Sequence, residues 1–348
     1  MSSAQSQAGV FQITVQPSGR SFSSQAGEAI LAAGIHAGIG LPYGCKDGAC
    51  GSCKCKKISG QVVHGPHQSK ALSDLEEADG FILTCCGVAQ SDLVLESRQV
   101  AEEGAFPIKK MPTRVSLLEK KSDDVILLKL QLPSNDNFSY HAGQYVEFLL
   151  RDGVRRSYSM ANAPSNGPGI ELHLRHMPGG KFTDVVFSTM KEKDILRIEG
   201  PYGSFFLREH SDKPIILLAS GTGFAPIKAV IEQMQHKGIT RPTTLYWGGR
   251  RPADLYLNDW VQTKLDDMPN LRYIPVISDA LVQDAWTGRT GFVHQAVLQD
   301  FPDLSGHQVY ACGAPIVVDS ARRDYPALAK LPEEEFFADS FTSEADKT

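Results

Sequence analysis

Residues 42–55, PYGCKDGACGSCKC, hold four cysteines and three glycines in fourteen positions. So dense a run of thiols leaves few folds open, because the loop must serve the sulfurs before it serves a core. Cys45, Cys50 and Cys53 are spaced C-x4-C-x2-C, and a fourth thiol follows in FILTCCG at Cys85 or Cys86. This is the spacing of a plant-type [2Fe–2S] site. Each iron needs two thiolates, and the loop must wrap closely enough to aim backbone N–H groups at sulfur. Gly44, Gly48 and Gly51 permit this through positive φ and close approach. A structural zinc site would call for paired C-x2-C knuckles, and there is only one such pair. Redox thiols or a disulfide framework fit less well, since six of the seven cysteines cluster between 45 and 86 in a chain that reads as intracellular.

The intracellular reading comes from what the composition excludes. The chain has 348 residues, 42% hydrophobic and 22% charged, with net charge −5. That length suggests two or three domains, and the charge gives no footprint for nucleic acid or a membrane surface. The longest apolar runs, such as PIILLA (214–219), are too short to span a bilayer. The N-terminal MSSAQSQAGVFQITV has no basic segment leading into an apolar one. The expectation is a cytoplasmic protein.

Around the thiol loop, FQITVQPSGRSFSSQ reads as two strands about a Pro-Ser-Gly turn. GEAILAAGIHAGI carries helical apolar spacing at Ile30, Leu31 and Ile35. Strand, turn, strand and helix followed by the cysteine loop resemble a plant-type ferredoxin, a β-grasp fold, and the expected domain is 10–100. The resemblance implies Cys85 as the fourth ligand beside Cys45, Cys50 and Cys53, because LTC after an apolar strand is how the loop ends in such proteins. Cys55 and Cys86 are then packing residues.

Residues 101–112, in AEEGAFPIKKMPTR, are polar and aperiodic and carry Pro107 and Pro112, so they read as a linker. From 113 to 208 short alternating segments predict an antiparallel β-barrel: TRVSLLEKKSDDVILLKLQL, HAGQYVEFLLRDG, RRSYSMANAP and GIELHLRHMPGG. From 211 to 343 strands alternate with helical stretches, which predicts a doubly wound parallel sheet. The tail SEADKT is expected to fray. The whole is a multidomain α+β and α/β chain.

Two motifs in the barrel carry chemistry. RRSYSMAN holds Arg156, Tyr158, Ser159 and Met160; MPGGKFT holds Gly179, Gly180, Lys181 and Thr183. A flavin needs an aromatic face against its ring, a hydroxyl near N5 where hydride arrives, and a cation with free amides for its pyrophosphate. Tyr158, Ser159, Arg156 and the start of a helix at Gly179–Thr183 supply these in turn. With HAGQYVEF upstream and EGPYGSF downstream, the segment resembles the FAD barrel of ferredoxin–NADP reductase-like proteins.

In LLASGTGFAPIKAVI, Gly221, Thr222 and Gly223 form a dinucleotide-type turn in which Pro226 replaces a third glycine. Proline suits a first helical turn, where its missing N–H has no partner. About ninety residues later comes YACGAP, and the resemblance places its Cys312, with Gly313 and Pro315, beside the nicotinamide ring. Cys312 is not read as a nucleophile. YWGGRRPADLY offers both signs for the adenosine ribose: Arg250 and Arg251 could take a 2′-phosphate, Asp254 a free hydroxyl. NADH is expected, with NADPH as the alternative. Phe341 near the chain end is either an aromatic stacked on the flavin or a core residue.

All segments together resemble the NAD(P)H-dependent [2Fe–2S] flavoprotein reductases, which serve oxygenases and, in one branch, CDP-deoxysugar (glucoseen) dehydrases. The wording is closest to that branch and to the reductases of ring dioxygenases such as terephthalate dioxygenase. The resemblance implies hydride passing from NADH to FAD, then single electrons through the cluster to a protein acceptor, an aromatic-ring or similar iron-dependent oxygenase first and a dehydrase second. A ferredoxin fused to a degenerate flavin module, acting as a carrier or redox sensor, is the alternative of another class. The ten histidines form no metal-spaced cluster, and His64, His67, His173 and His176 read as surface or barrel residues.

Overall fold

The computed structural model describes residues 9–101, 105–134 and 137–342. The tail 343–348 and part of the expected linker, 102–104, lie outside the described residues. The chain divides into two compact units, Met1–Phe106 with Thr342–Thr348, and Pro107–Phe341.

In the first unit, alternation in VFQITVQ turns Ile13 and Val15 inward. That strand, Val10–Gln16, lies antiparallel to Arg20–Gln25 and parallel to Leu93–Glu96; Lys54–Ser59 and Phe81–Leu83 complete a five-stranded sheet. The helix Ile30–His36 buries Ile30, Leu31 and Ala33. Hairpin, helix and a central parallel pair make the β-grasp that the sequence predicts. The thiol loop leads into Lys54–Ser59. Lys54 pairs with Leu83, so Cys53 and the LTC segment emerge together from adjacent strands.

The second unit opens with six antiparallel strands in the order Arg155–Ser159, Tyr145–Leu149, Ile195–Tyr202, Lys109–Lys120, Val125–Gln131, Gly169–Arg175. A bridge between Met160 and Leu172 joins the two ends into a barrel. Met111, Val115, Leu128, Phe148 and Ile198 fill it. Its first strand begins at Lys109, within the stretch read as a linker. Pro112 is tolerated there because it pairs only with Arg197; pairing with Val125–Gln131 starts at Arg114, so no ladder needs the missing N–H.

The same unit continues into a six-stranded parallel sheet: Arg289–Thr290, Leu271–Ile277, Thr243–Gly249, Ile215–Ser220, Gln308–Gly313, Phe336–Ser340. Both faces are covered. Leu217 and Ala219 pack with Phe224 and Trp247 on one side, Ile216 and Leu218 with Val297, Val318 and Tyr325 on the other. This double burial is why IILLA reads as an unbroken apolar run. The winding reverses between Ile215–Ser220 and Gln308–Gly313, so the turns after these two strands flank the crevice where such sheets take ligands. Among the described residues no helix is long and apolar enough to cross a membrane.

Buried charges tie the barrel to the helix Phe224–Lys237. The Lys228 ammonium lies 2.6 Å from Glu232 Oε1 and 3.1 Å from Glu171 Oε1, and donates to the Ala161 carbonyl. Glu232 also accepts the Ala163 N–H, and Glu171 meets His173 Nε2 at 3.0 Å. His173 Nδ1 stands 2.8 Å from the Tyr256 hydroxyl. Burial pushes the Glu171 carboxyl up, but His173 and Lys228 outweigh it and draw it down to about 2. Burial holds His173 below the usual imidazole value, so its neutral ring can bridge Glu171 and Tyr256. Lys228→Met would leave Glu232 buried without its cation and Glu171 with Lys129 alone, 3.4 Å away, which costs about 3–5 kcal/mol. The expected result is unfolding of this second unit, read by circular dichroism, at a clearly lower temperature. An unchanged melting temperature would show the network contributes nothing.

Candidate functional site

In the thiol loop the four expected sulfurs stand as two pairs. The Cys45 N–H points to Cys50 Sγ at 3.4 Å and the Cys50 N–H to Cys45 Sγ at 3.4 Å, with the Ser52 N–H 3.5 Å from Cys50 Sγ. Cys85 reaches Cys53, and Thr84 ties that pair by donating to the Cys53 carbonyl. Two thiols per iron is what a two-iron cluster requires. Among the described residues no three His, Cys, Asp or Glu side chains converge as on a single ion. Every cysteine is a free thiol. Gly48 has φ +77, and a Cβ there would lie 2.9 Å from the His67 Cβ; one at Gly44 would lie 3.3 Å from Cys50 Sγ. Gly48 has no room for a side chain without moving the loop, and one at Gly44 would press on the Cys50 sulfur. Cys55 is buried as expected, whereas Cys86 is only half-buried beside Cys85.

The two flavin motifs meet. Alternation puts Arg156 and Tyr158 on one face of their strand and Ser159 on the other. Tyr158, half-buried, sets its ring 5.6 Å from Phe182 of the GGKF turn and 5.7 Å from Phe148. Burial raises its phenol well above the ordinary value. Arg156 donates to the Arg155 carbonyl. In the turn, the Gly180 N–H donates to Met177 and the Gly179 N–H to Asp184, and Thr183 Oγ1 bonds both backbone groups of Met177. Two amides expected to face phosphate are therefore engaged. Those of Lys181, Phe182 and Thr183 have no hydrogen-bond partner among the described residues. Three successive N–H groups fit a pyrophosphate. The Lys181 ammonium pairs with Asp152 at 2.7 Å. Met160 departs from the expectation: its side chain is fully buried in the barrel core, on the Tyr158 side of the alternation.

At the switch point the strand Ile215–Ser220 ends in a tight turn, Gly221–Gly223, that runs straight into the helix, with Pro226 as its third residue. Gly223 is required: a Cβ there would fall 2.2 Å from the Cys312 carbonyl oxygen. The turn thus rests on the backbone of Cys312 and Gly313, and Ser220 Oγ accepts the Ala314 N–H. Trp247 Nε1 donates to the Gly221 carbonyl while its ring stacks on Phe224 at 3.9 Å. Thr222 is buried. Cys312 is buried too; burial, then the Asp339 charge, holds its thiol protonated. Phe341 donates its N–H to the Gly313 carbonyl and packs half-buried on the Phe224–Cys312 core. Arg250 is exposed, whereas Arg251 is paired with Asp284.

Two residues outside every sequence motif join this site. Asp339 sits opposite Cys312 in the last strand pair, and the Ser159 hydroxyl donates to its Oδ2 at 2.9 Å, both groups buried. That bond brings Ser159 and Cys312 to one place. Arg175 ends the strand Gly169–Arg175 with its guanidinium 2.9 Å from where a Gly221 Cβ would be. Its Nε and Nη2 are buried without a hydrogen-bond partner among the described residues, 3.1 Å from Asp124 and 3.6 Å from Asp254.

Comparison with known proteins fits this division of labour. Residues 13–90 match the 2Fe-2S iron-sulfur cluster binding domain, 112–207 the oxidoreductase FAD-binding domain and 217–323 the oxidoreductase NAD-binding domain. The chain is 41% identical over 332 residues to the CDP-6-deoxy-L-threo-D-glycero-4-hexulose-3-dehydrase reductase of Yersinia pseudotuberculosis, covering 94% of this chain and 98% of that one. It is 36% identical to reductase component 1 of the terephthalate 1,2-dioxygenase of Comamonas sp, covering 95% and 97%. The crystal structure of the Amycolatopsis cytochrome P450 reductase GcoB superposes with a TM-score of 0.77 at 29% identity, over 96% of this chain and 99% of that one. Likeness of this extent, across cluster loop, barrel and parallel sheet alike, makes the chain a member of the NAD(P)H-dependent [2Fe–2S] flavoprotein reductases, oxidoreductases that pass electrons from a nicotinamide through FAD and an iron–sulfur cluster to a protein partner.

Proposed function

We propose that residues 10–100 carry the cluster on Cys45, Cys50, Cys53 and Cys85, residues 113–208 the FAD, and residues 211–343 NADH in preference to NADPH. Bound FAD supplies the conversion of a two-electron hydride into single electrons, which the cluster hands on. Arg156 and the amides of 181–183 hold the pyrophosphate, and Tyr158 covers the ring. Gly221–Pro226 and Cys312 seat the nicotinamide nucleotide, and Ser159 presents its hydroxyl to the reacting face. The observation that carries this reading is the Ser159–Asp339 hydrogen bond, which joins the flavin strand to the strand paired with Cys312. A degenerate module serving only as a carrier or redox sensor would have no use for that alignment. The test is direct: purified protein is expected to be yellow-brown and to bleach when NADH is added without oxygen. A brown protein that ignores NADH would leave the carrier.

The acceptor we read as the oxygenase component of an iron-dependent oxygenase. A second reading, a CDP-deoxysugar dehydrase, draws on the higher identity to the Yersinia reductase, 41% against 36% for the dioxygenase reductase. Turnover reconstituted with each type of acceptor separates the two. We further read the protein as cytoplasmic and without nucleic-acid or membrane partners, in keeping with its net charge of −5.

A further inference from the structure

The loop after the second strand of the parallel sheet is where a dinucleotide's adenosine ribose is recognised, and a cation there admits a 2′-phosphate. Here that loop is Arg250–Asp254, following Thr243–Gly249. Asp254 is committed to shaping it: Oδ2 accepts the N–H of Arg250 at 2.7 Å and of Arg251 at 3.1 Å. Arg251 is committed as well. Its Nε lies 2.7 Å from Asp284 Oδ2 and its Nη2 2.6 Å from Asp284 Oδ1, a two-point grip of the kind guanidinium and carboxylate make best. Asp284 comes from a different loop, beyond the third strand Leu271–Ile277, in the short turn Val282–Asp284. Its Oδ2 also takes the Leu281 N–H at 2.8 Å, which fixes the carboxylate in place. Asp279 adds to the same field, its N–H bonded to the Arg250 carbonyl. Arg250, largely exposed, has only a loose 3.8 Å approach to Asp254.

We propose that Asp284 is a specificity-determining residue: by holding Arg251 from the neighbouring loop it denies that cation to a 2′-phosphate and keeps the site for NADH. Arg175, 3.6 Å from Asp254, and Arg251, gripped by Asp284, are both already balanced by carboxylates, so neither guanidinium is left over for a 2′-phosphate. A 2′-hydroxyl needs no such cation. The proposal deepens the NADH reading and rests on it.

The test is Asp284→Asn in the full-length holoenzyme. The amide keeps the size of the carboxyl and can still accept the Leu281 N–H, but no longer neutralises the guanidinium. One charge-assisted hydrogen bond to the freed Arg251 is expected to raise kcat/KM for NADPH relative to NADH by at least about tenfold. Adding Arg251→Gln is expected to cancel the gain. In parallel, inhibition by 2′,5′-ADP should strengthen over that by 5′-ADP in the single variant, an advantage that falls as salt is raised. If the wild type prefers NADPH, the NADH reading itself fails. If the wild type prefers NADH and Asp284→Asn leaves both ratios unchanged, the role given to Asp284 is wrong while the NADH reading stands.

Discussion

Replacing Cys50 with serine is expected to abolish cytochrome c reduction by NADH while sparing reduction of a dye that draws directly from FAD. Cys50 is buried, its Sγ receives two backbone N–H groups and it faces Cys45 across the loop. A serine oxygen is harder and shorter-reaching than a thiolate, so the iron that Cys45 and Cys50 would share loses a soft ligand. The two amides aimed at sulfur meet instead a shorter-reaching hydroxyl oxygen, set back from where the sulfur stood. None of the residues assigned to FAD or to the nicotinamide belongs to this unit, so hydride uptake has no reason to suffer. Iron and acid-labile sulfide content measured beside the two activities completes the experiment. If dye reduction fell in step with cytochrome c reduction, the proposed order of transfer, with the cluster last, would be wrong.

How far the sequence could carry this depends on how local each feature is. The thiol loop is legible because its ligands sit within nine residues and its glycines obey backbone rules that need no tertiary context. The fourth ligand lies further on, yet strand pairing between Lys54 and Leu83 makes its position almost a local consequence. The parallel sheet announces itself through runs buried on both faces. Met160 follows the strand Arg155–Ser159, and its bridge to Leu172, which closes the barrel, seats its side chain in the barrel core; that closure is a tertiary event the motif does not reveal. Asp339 was not legible at all, because its partner Ser159 lies 180 positions away and their meeting depends on two folded domains. Lys228, Glu171 and His173 were hidden for the same reason; each alone looks like a charged residue on an amphipathic element. Arg251 shows the reverse error. Its type suggested phosphate, and only the fold reveals that Asp284 already holds it.

Removing the Ser159 hydroxyl, as in Ser159→Ala, is expected to slow anaerobic reduction of the flavin by NADH about a hundredfold, the scale on which a single well-placed polar group acts in a dry site. The geometry explains why so small a group should matter. The Ser159 hydrogen is committed to Asp339 at 2.9 Å, so the hydroxyl cannot rotate freely and its lone pairs face a fixed direction. On the proposed role of Ser159, Asp339 would act through that hydroxyl as a positioning residue. Asp339→Asn keeps an oxygen that can accept the same hydrogen bond and should retain most of the rate, whereas Asp339→Ala frees the hydroxyl and should approach the Ser159→Ala value. Cys312 is buried with its thiol protonated, and its backbone rests against the Gly223 turn; on its proposed place beside the nicotinamide, Cys312→Ser should weaken nicotinamide binding more than it slows the step that follows. A structural role for Asp339 makes a different forecast: both of its variants would lose FAD, and the rate loss would follow flavin content. Stopped-flow reduction normalised to bound FAD, with NADH deuterated at the transferred position, distinguishes them. A full isotope effect with normal flavin content in Asp339→Ala supports positioning; a wild-type rate in that variant would show that Ser159 needs no partner to hold it.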